Sequence, residues 1–248
     1  KKRSTAIEVL EELVNYHPLP KIILEYRHLS KLNNTYISAL PEYIDDYSGR
    51  IHTSLNQTIV ATGRLSSTKP NFQNIPIRTN LGKEIRKSFQ AQKEGYYILS
   101  ADYSQIELRI MAHLSQEPEL VKSFCEGVDI HQRTASLVFN ISGNEINAEQ
   151  RRIAKIVNFG IMYGAGAFRI SKELGINIKA AKDLIENYFE TYSGIKNYID
   201  KLIIKASKQG YVETLFGRKR FTYNLLSPNK NIKKAEERAL INMPIQGT

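Results

Sequence analysis

The sequence predicts a helix-rich α+β fold, and three observations carry that prediction. Apolar residues recur at helical spacing over much of the chain, alternate with their neighbours over 50–62, and flank a glycine-centred hairpin signal at Phe216-Gly217-Arg218. At 248 residues the chain has room for one to two domains, taking about 150 residues for each. A hydrophobic fraction of 42% with 24% charged residues excludes a wholly disordered chain. The single cysteine, Cys125, excludes an intramolecular disulfide and a multi-cysteine zinc site, and reads as a small hydrophobe. No apolar run reaches the roughly 18 residues of a membrane span. Lys1-Lys2-Arg3 leads into Glu8, Glu11 and Glu12 rather than into a signal-peptide core, so neither a membrane protein nor a secreted scaffold is expected.

The elements follow in order. Ile7, Leu10, Leu13 and Val14 predict a helix over 4–16 that His17-Pro18-Leu19-Pro20 stops. Ile22, Ile23, Tyr26 and Leu29 place a second over 21–32. Pro41 and Ser48-Gly49 separate these from a strand at 50–62, marked by Ile51, Thr53, Leu55 and Gln57. Residues 63–82, rich in Gly, Ser, Pro and Asn, read as a long ordered loop of functional kind. A short buried strand over 96–102 ends in Asp102, and Ser104 with Glu107 predicts a capping box for the helix that follows through Ile106, Leu108, Ile110 and Leu114. Residues 118–140 read as helical with a break at Gly127. The strongest helix spans 147–163, with Asn147 and Gln150 as a capping pair and Gly164 and Gly166 as the stop. Helices at 177–191 and 193–209, the hairpin, and a last helix at 230–241 complete the reading.

Charge is segregated. Of 35 basic and 25 acidic residues, windows 64–87, 151–172 and 201–238 hold 21 basic and only 4 acidic, more than the whole net charge of +10. Clustered cations suit a polyanion, because each neutralised phosphate releases a counterion, although a solvated basic surface would look the same. At about 100° per residue, Arg151, Lys155, Phe159 and Tyr163 share one face of the 151–163 helix, while Ile153, Ile156, Val157 and Ile161 lie mainly on the other. Two cations followed by two rings could meet the phosphates and then the base of a nucleotide; the plain alternative is an amphipathic helix with core aromatics. Asp102 could hold a hard metal or serve as a turn residue, Glu107 could be only a cap, and His131 beside Asp129 could donate to phosphate or be a satisfied structural histidine.

Together these features have a match. The blocks TGRLSSTKPNFQNIPIRT at 62–79, DYSQIELR at 102–109, RRIAKIVNFGIMYG at 151–164 and ERALINMPIQGT at 237–248 closely resemble the polymerase portion of family A DNA polymerases, over essentially the whole chain. The resemblance implies a right-hand architecture: a palm with an antiparallel sheet, helical fingers and a remnant of the thumb. Residues 1–48 would be the end of the thumb and its connection to the palm, 49–115 the first part of the palm, 116–215 the fingers, and 216–248 the return to the palm. The activity implied is template-directed addition of deoxynucleotides to a primer 3′ end by two-metal nucleotidyl transfer.

By the same resemblance, Asp102 binds two Mg²⁺ ions, for which Mn²⁺ could substitute, and the Tyr103 carbonyl helps hold one. Arg151 and Lys155 grip the triphosphate with His131 assisting, and Lys155 is the candidate acid that protonates pyrophosphate. Phe159 packs on the incoming sugar and base, Tyr163 stacks at the template position, Glu107 excludes a ribose 2′-hydroxyl and Gln105 lines the site. Arg64 reaches the minor groove, and Asn71, Gln73, Asn74, Arg238, Asn242 and Gln246 contact the duplex, where donors can test pairing geometry without reading sequence. The implied partners are primer–template DNA and deoxynucleoside triphosphates, with a monomeric, cytoplasmic protein and no membrane.

One departure stands out. The chain reaches Gln246-Gly247-Thr248 where the family continues into a hairpin bearing a second metal-binding aspartate in His-Asp-Glu, a motif this sequence lacks. An incomplete domain, truncated within the palm and inactive alone, is therefore expected. Two alternatives stay open: a single-subunit RNA polymerase-like enzyme, against which Glu107 argues, and a non-catalytic nucleic-acid-binding module derived from a polymerase.

Overall fold

The first helix ends before His17, as the sequence suggests, and His17 and Pro18 also start the second. In the computed structural model, which describes residues 3–77, 79–91 and 93–248, α1 spans Ile7–Leu13 and α2 spans Pro18–Leu32. The His17 ring accepts the Leu19 amide at 3.1 Å, and Pro18 occupies the first turn, where its fixed φ suits a helix and its missing N–H costs nothing. Lys1, Lys2 and Arg78, which the sequence reading places in its basic start and its 62–79 block, lie outside the described residues.

The chain divides into two units: residues 1–60 with 65–101, and residues 61–64 with 102–248. In the first unit the strand expected over 50–62 is broken into short pieces. β1 (Ile44–Asp45) pairs with β2 (Arg50–Ile51), and β3 (Ser54–Asn56) pairs antiparallel with β4 (Ser66–Thr68), in register Ser54 to Thr68 and Asn56 to Ser66. The expected loop over 63–82 therefore holds more order than its composition shows. It contributes β4, a 3₁₀ turn at Phe72–Asn74 and the start of α3 (Asn80–Lys87), which Thr79 caps by accepting the Gly82 amide at 3.1 Å.

The strand expected over 96–102 does not form. Residues 96–101 carry no ladder among the described residues, and Tyr97 and Leu99 are 92% and 90% exposed. An apolar run becomes a strand only where another segment takes its N–H and C=O groups, which periodicity within the run cannot report.

The second unit is mainly helical. It contains α4 (Ile106–Ser115), α5 (Pro118–Glu126), α6 (Ile130–Phe139), α7 (Ala148–Met162), α8 (Ala167–Leu174), α9 (Ile178–Thr191), α10 (Ser193–Gln209), a hairpin of β5 (Tyr211–Glu213) and β6 (Lys219–Phe221), and α11 (Lys230–Gln246). Gly127 ends α5 in the left-handed region at φ +68, as the sequence suggests. The expected capping box at Ser104 and Glu107 is absent: Gln105, at φ +53, precedes α4 without a side-chain cap, and Glu107 points its carboxylate elsewhere. α8 has no counterpart in the sequence reading, and α11 runs past residue 241 through Pro244. Cys125 is exposed on α5, not a core hydrophobe. One core gathers Leu108, Met111, Leu120, Ile130, Val157, Ile161, Tyr188, Tyr192 and Ile195; a second joins Ala206, Val212, Leu225, Leu240 and Met243.

Candidate functional site

α7 is the best-specified element of the chain. Asn147 accepts the Gln150 amide at 2.9 Å while the Gln150 side chain accepts the Asn147 amide at 3.0 Å, a complete capping box. Val157 and Ile161 bury the back of the helix, with Ile153 and Ile156 partly buried, as the periodicity predicts. On the front, Arg151 and Lys155 are exposed and Phe159 and Tyr163 are half-buried. The two rings stack at 6.4 Å between centroids with 15° between planes. The four residues therefore stand in the order their spacing predicts, two cations and then two rings, and the structure adds that the rings lie nearly parallel.

Three neighbours complete this front. His131, on α6, sets its ring 5.6 Å from Phe159. It is 3% exposed, and burial, helped by the charges of Arg151 and Lys155, pushes its pKa below the usual histidine value against the opposing pull of Asp129. Asp129 caps α6 by accepting the His131 and Gln132 amides at 2.9 and 3.0 Å. Its Oδ2 also receives Arg151 Nε at 3.1 Å and an η nitrogen of Arg151 at 2.7 Å. Burial would raise the Asp129 pKa, but the guanidinium and the two amides outweigh it and hold the carboxyl below its ordinary range. Arg151 is thus paired, whereas Lys155 has no ion pair among the described residues.

At the other end of α7, Glu107 joins the front. Its Oε2 accepts the Tyr163 hydroxyl, and its Oε1 lies 2.5 Å from an η nitrogen of Arg64. Burial and then the Glu107 carboxylate push the Tyr163 pKa up to about 12, against the Arg64 charge. Gly164 follows at φ +66, where an added Cβ would stand 2.7 Å from Cγ of Arg238. Only glycine fits there, on backbone and on space. Arg64, Glu107, His131, Arg151, Lys155, Phe159, Tyr163 and Arg238 accordingly belong to one unit.

Asp102 and Tyr103 are exposed ahead of α4, and Gln105 is partly buried at its start. No group of three or more His, Cys, Asp or Glu side chains is gathered among the described residues. The Asp102 carboxylate and an adjacent backbone carbonyl are nonetheless hard oxygen donors, the type that Mg²⁺ takes alongside substrate phosphates, so the donors present fit that ion. Asn71, Gln73 and Asn74 lie in the first unit. Asn71 accepts the Gln73 amide, Gln73 is tied to the Ser67 amide and the Leu65 carbonyl at 3.2 and 2.8 Å, and the Asn74 carbonyl accepts the Tyr36 hydroxyl. Asn242 and Gln246 are partly buried on α11, and Oδ1 of Asn242 is sealed from solvent without a partner among the described residues.

Sequence reasoning missed two residues that shape the front: Asp129 as the partner of Arg151, and Asn158 as the neighbour of His131. Asp129 had a signal, an N-cap residue just before a helical run. Asn158 had one too, a polar side chain among the apolar residues of α7.

Residues 1–248 match the sequence model of DNA polymerase family A. The chain is 50% identical over 247 residues to DNA polymerase I of Deinococcus radiodurans, covering 100% of this chain and 26% of that protein. It is 48% identical over 247 residues to the thermostable DNA polymerase I of Thermus aquaticus, covering 100% of this chain and 30% of that protein. Among solved structures it is similar to the POL domain of Pol1 from M. smegmatis in complex with DNA primer-template and dNTP, at a TM-score of 0.89 and 41% identity, over 100% of this chain and 44% of that one. The chain thus spans between about a quarter and a third of the length of these curated relatives.

Proposed function

The chain belongs to DNA polymerase family A, and we propose that it serves template-directed addition of deoxynucleotides to a primer 3′ end. The observation that carries this reading is the front of α7, where Arg151 and Lys155 precede the stacked Phe159 and Tyr163 and Glu107 closes the far end. The cations suit a triphosphate, and the rings suit its sugar and base. Partners proposed on this basis are deoxynucleoside triphosphates and primer–template DNA, the ligands named for the M. smegmatis relative.

In this reading Arg151 and Lys155 hold the phosphates, His131 adds an N–H donor, and Lys155 gives its proton to the departing pyrophosphate. Phe159 packs on the sugar and base, and Tyr163 stacks at the template position. Glu107, tied to Tyr163 and Arg64, leaves no room for a 2′-hydroxyl, with Gln105 beside it. Arg64, Arg238, Asn242 and Gln246 of the second unit are duplex-contacting residues in this reading, and Asn71, Gln73 and Asn74 are those of the first unit. Asp102 with the Tyr103 carbonyl would hold divalent ions, two Mg²⁺ with Mn²⁺ able to substitute, which when bound lower the pKa of the primer 3′-hydroxyl and stabilise pyrophosphate. Residues 1–48 are assigned to the end of the thumb and its connection to the palm, 49–115 and 216–248 to the palm, and 116–215 to the fingers.

The test is single-nucleotide incorporation by the full-length protein carrying Asp102→Asn or Lys155→Ala. Each should lower kcat/KM by more than about a hundredfold, equivalent to roughly 2.7 kcal/mol. An Asp102→Asn enzyme within tenfold of wild type would overturn the role given to Asp102, since tenfold is only about 1.4 kcal/mol.

A further inference from the structure

Behind the nucleotide-facing side of α7 lies a run of polar side chains in the core. The Tyr192 hydroxyl is 2.9 Å from the Thr134 hydroxyl, Thr134 is 3.0 Å from Asn158 Nδ2, and that same nitrogen is 3.1 Å from His131 Nδ1. Thr134, Asn158 and Tyr192 are fully buried and His131 is 3% exposed. A buried amide and hydroxyl in an otherwise apolar core cost free energy that ordinary packing would not require, so this run stands out from its surroundings. Its end is the ring that touches Phe159.

An amide NH₂ can only donate, so the ring nitrogen facing it must be unprotonated, and the neutral imidazole then carries its hydrogen on the other nitrogen. That other nitrogen, Nε2, has no partner among the described residues, yet it is not among the side-chain atoms sealed from solvent, so it is the corner of the ring that opens outward. The charged groups facing the ring are Asp129 at the start of α6 and Arg151 and Lys155 on α7; the Tyr192 hydroxyl reaches it only through Thr134 and Asn158. Burial is the main influence favouring a neutral ring, with Arg151 and Lys155 adding to it against the larger single pull of Asp129.

We propose that Asn158 is a positioning residue: by donating to Nδ1 it locks His131 as the neutral Nε2–H form, so that the ring presents a fixed hydrogen-bond donor toward bound phosphate. A protonated Nδ1 would leave Nε2 as an acceptor, which repels phosphate oxygens, and an unanchored ring could turn away. The inference rests on the reading that this front receives a triphosphate. Thr134 completes the device by contacting both polar ends of the Asn158 amide, at 3.0 Å to Nδ2 and 3.3 Å to Oδ1, with Tyr192 behind it.

The experiment is long-range ¹H–¹⁵N NMR of the histidine ring nitrogens in the present chain, with His131 assigned through His131→Gln. Without nucleotide, above the ring's pKa, wild-type His131 should show an unprotonated Nδ1 and a protonated Nε2. A predominantly Nδ1-protonated ring would overturn the proposal without any variant being needed. Asn158→Asp replaces the donor by a carboxylate that can only accept, so it should move the hydrogen to Nδ1 and raise the ring pKa by about one unit or more, a tenfold change in proton affinity. An unchanged tautomer and pKa in that variant would also overturn it. Adding dATP with Mg²⁺ is the separate arm: movement of the Nε2–H resonance supports a phosphate at this front. Its absence, with the tautomer as expected, would count against the triphosphate reading while leaving the role of Asn158 on the ring intact.

Discussion

Glu107 holds Tyr163 and Arg64 at once, taking the phenol on Oε2 and the guanidinium on Oε1. One carboxylate thereby fixes the ring at the end of α7 and a residue from outside the helix. Glu107→Ala should raise ribonucleotide use relative to deoxyribonucleotide by about tenfold or more in the full-length protein, or roughly 1.4 kcal/mol of selectivity. It should also let the Tyr163 pKa fall from about 12 toward 10, though not fully, because burial is the larger cause and remains. Incorporation assays with matched substrates and a titration of ¹³Cζ-labelled tyrosine measure the two effects. Unchanged sugar selectivity alongside a lowered Tyr163 pKa would restrict Glu107 to the role of anchor.

Asp129 combines a helix cap with the pairing of Arg151, and two substitutions separate these. Asp129→Asn keeps an oxygen for the His131 and Gln132 amides but loses the charge on Arg151, whereas Asp129→Ala loses both. The alanine variant should be less stable than the asparagine variant by about 1 kcal/mol, the usual worth of a cap. The carboxyl is held below its ordinary pKa of 3.8, so the stability it contributes is present above that value and is lost as pH falls below it through the folded pKa. Acid unfolding followed by circular dichroism should therefore show a shallower loss below pH 4 in Asp129→Asn.

His131 acts on the acid side of neutrality. Burial depresses its pKa beneath 6.5, so the folded chain binds fewer protons than the unfolded chain once pH drops below that value. The stability contributed by the neutral ring is present above pH 6.5 and is lost as pH falls through the folded pKa. Comparing melting temperatures at pH 8 and pH 5, wild type should lose more than His131→Gln; equal losses would show that the ring stays solvated.

Glu117 ties two helices together from a nearly buried position. Its Oε2 accepts the Gly194 amide at 2.7 Å at the start of α10, and Oε1 accepts the Glu119 amide at 3.4 Å at the start of α5. A Cβ on Gly194 would lie 2.7 Å from that same Oε2 and 3.1 Å from the Glu117 Cα, so the carboxylate would have to give up its place on the Gly194 amide against a fixed backbone. Gly194→Ala should therefore cost about 1–3 kcal/mol by overpacking. Glu117→Ala should cost a similar amount by leaving the Gly194 amide without a partner. Urea midpoints at constant m-value would register both.

Much of this protein was determined by neighbours close in sequence. The span of α7, its Asn147–Gln150 cap and its division into a cationic-aromatic front and an apolar back all arise from residues within a few turns of one another, so periodicity and capping chemistry suffice to read them. The break at Gly127, the hairpin near Gly217 and the four blocks that mark the family are equally local. Tertiary structure decided what depends on a distant partner. The run 96–101 has strand-like residues but no ladder among the described residues, while β4 forms inside a Gly- and Pro-rich stretch because β3 supplies its partner groups. Glu107 stands three residues after Ser104, the spacing of a cap, yet its carboxylate goes to Tyr163, 56 positions away, and to Arg64, 43 positions away. Asp129 finds Arg151 across 22 positions, and Asn158 finds His131 across 27. A side chain satisfies its polar atoms with whatever the packed chain brings within about 3 Å, and linear order records only those partners that share its own turn of helix.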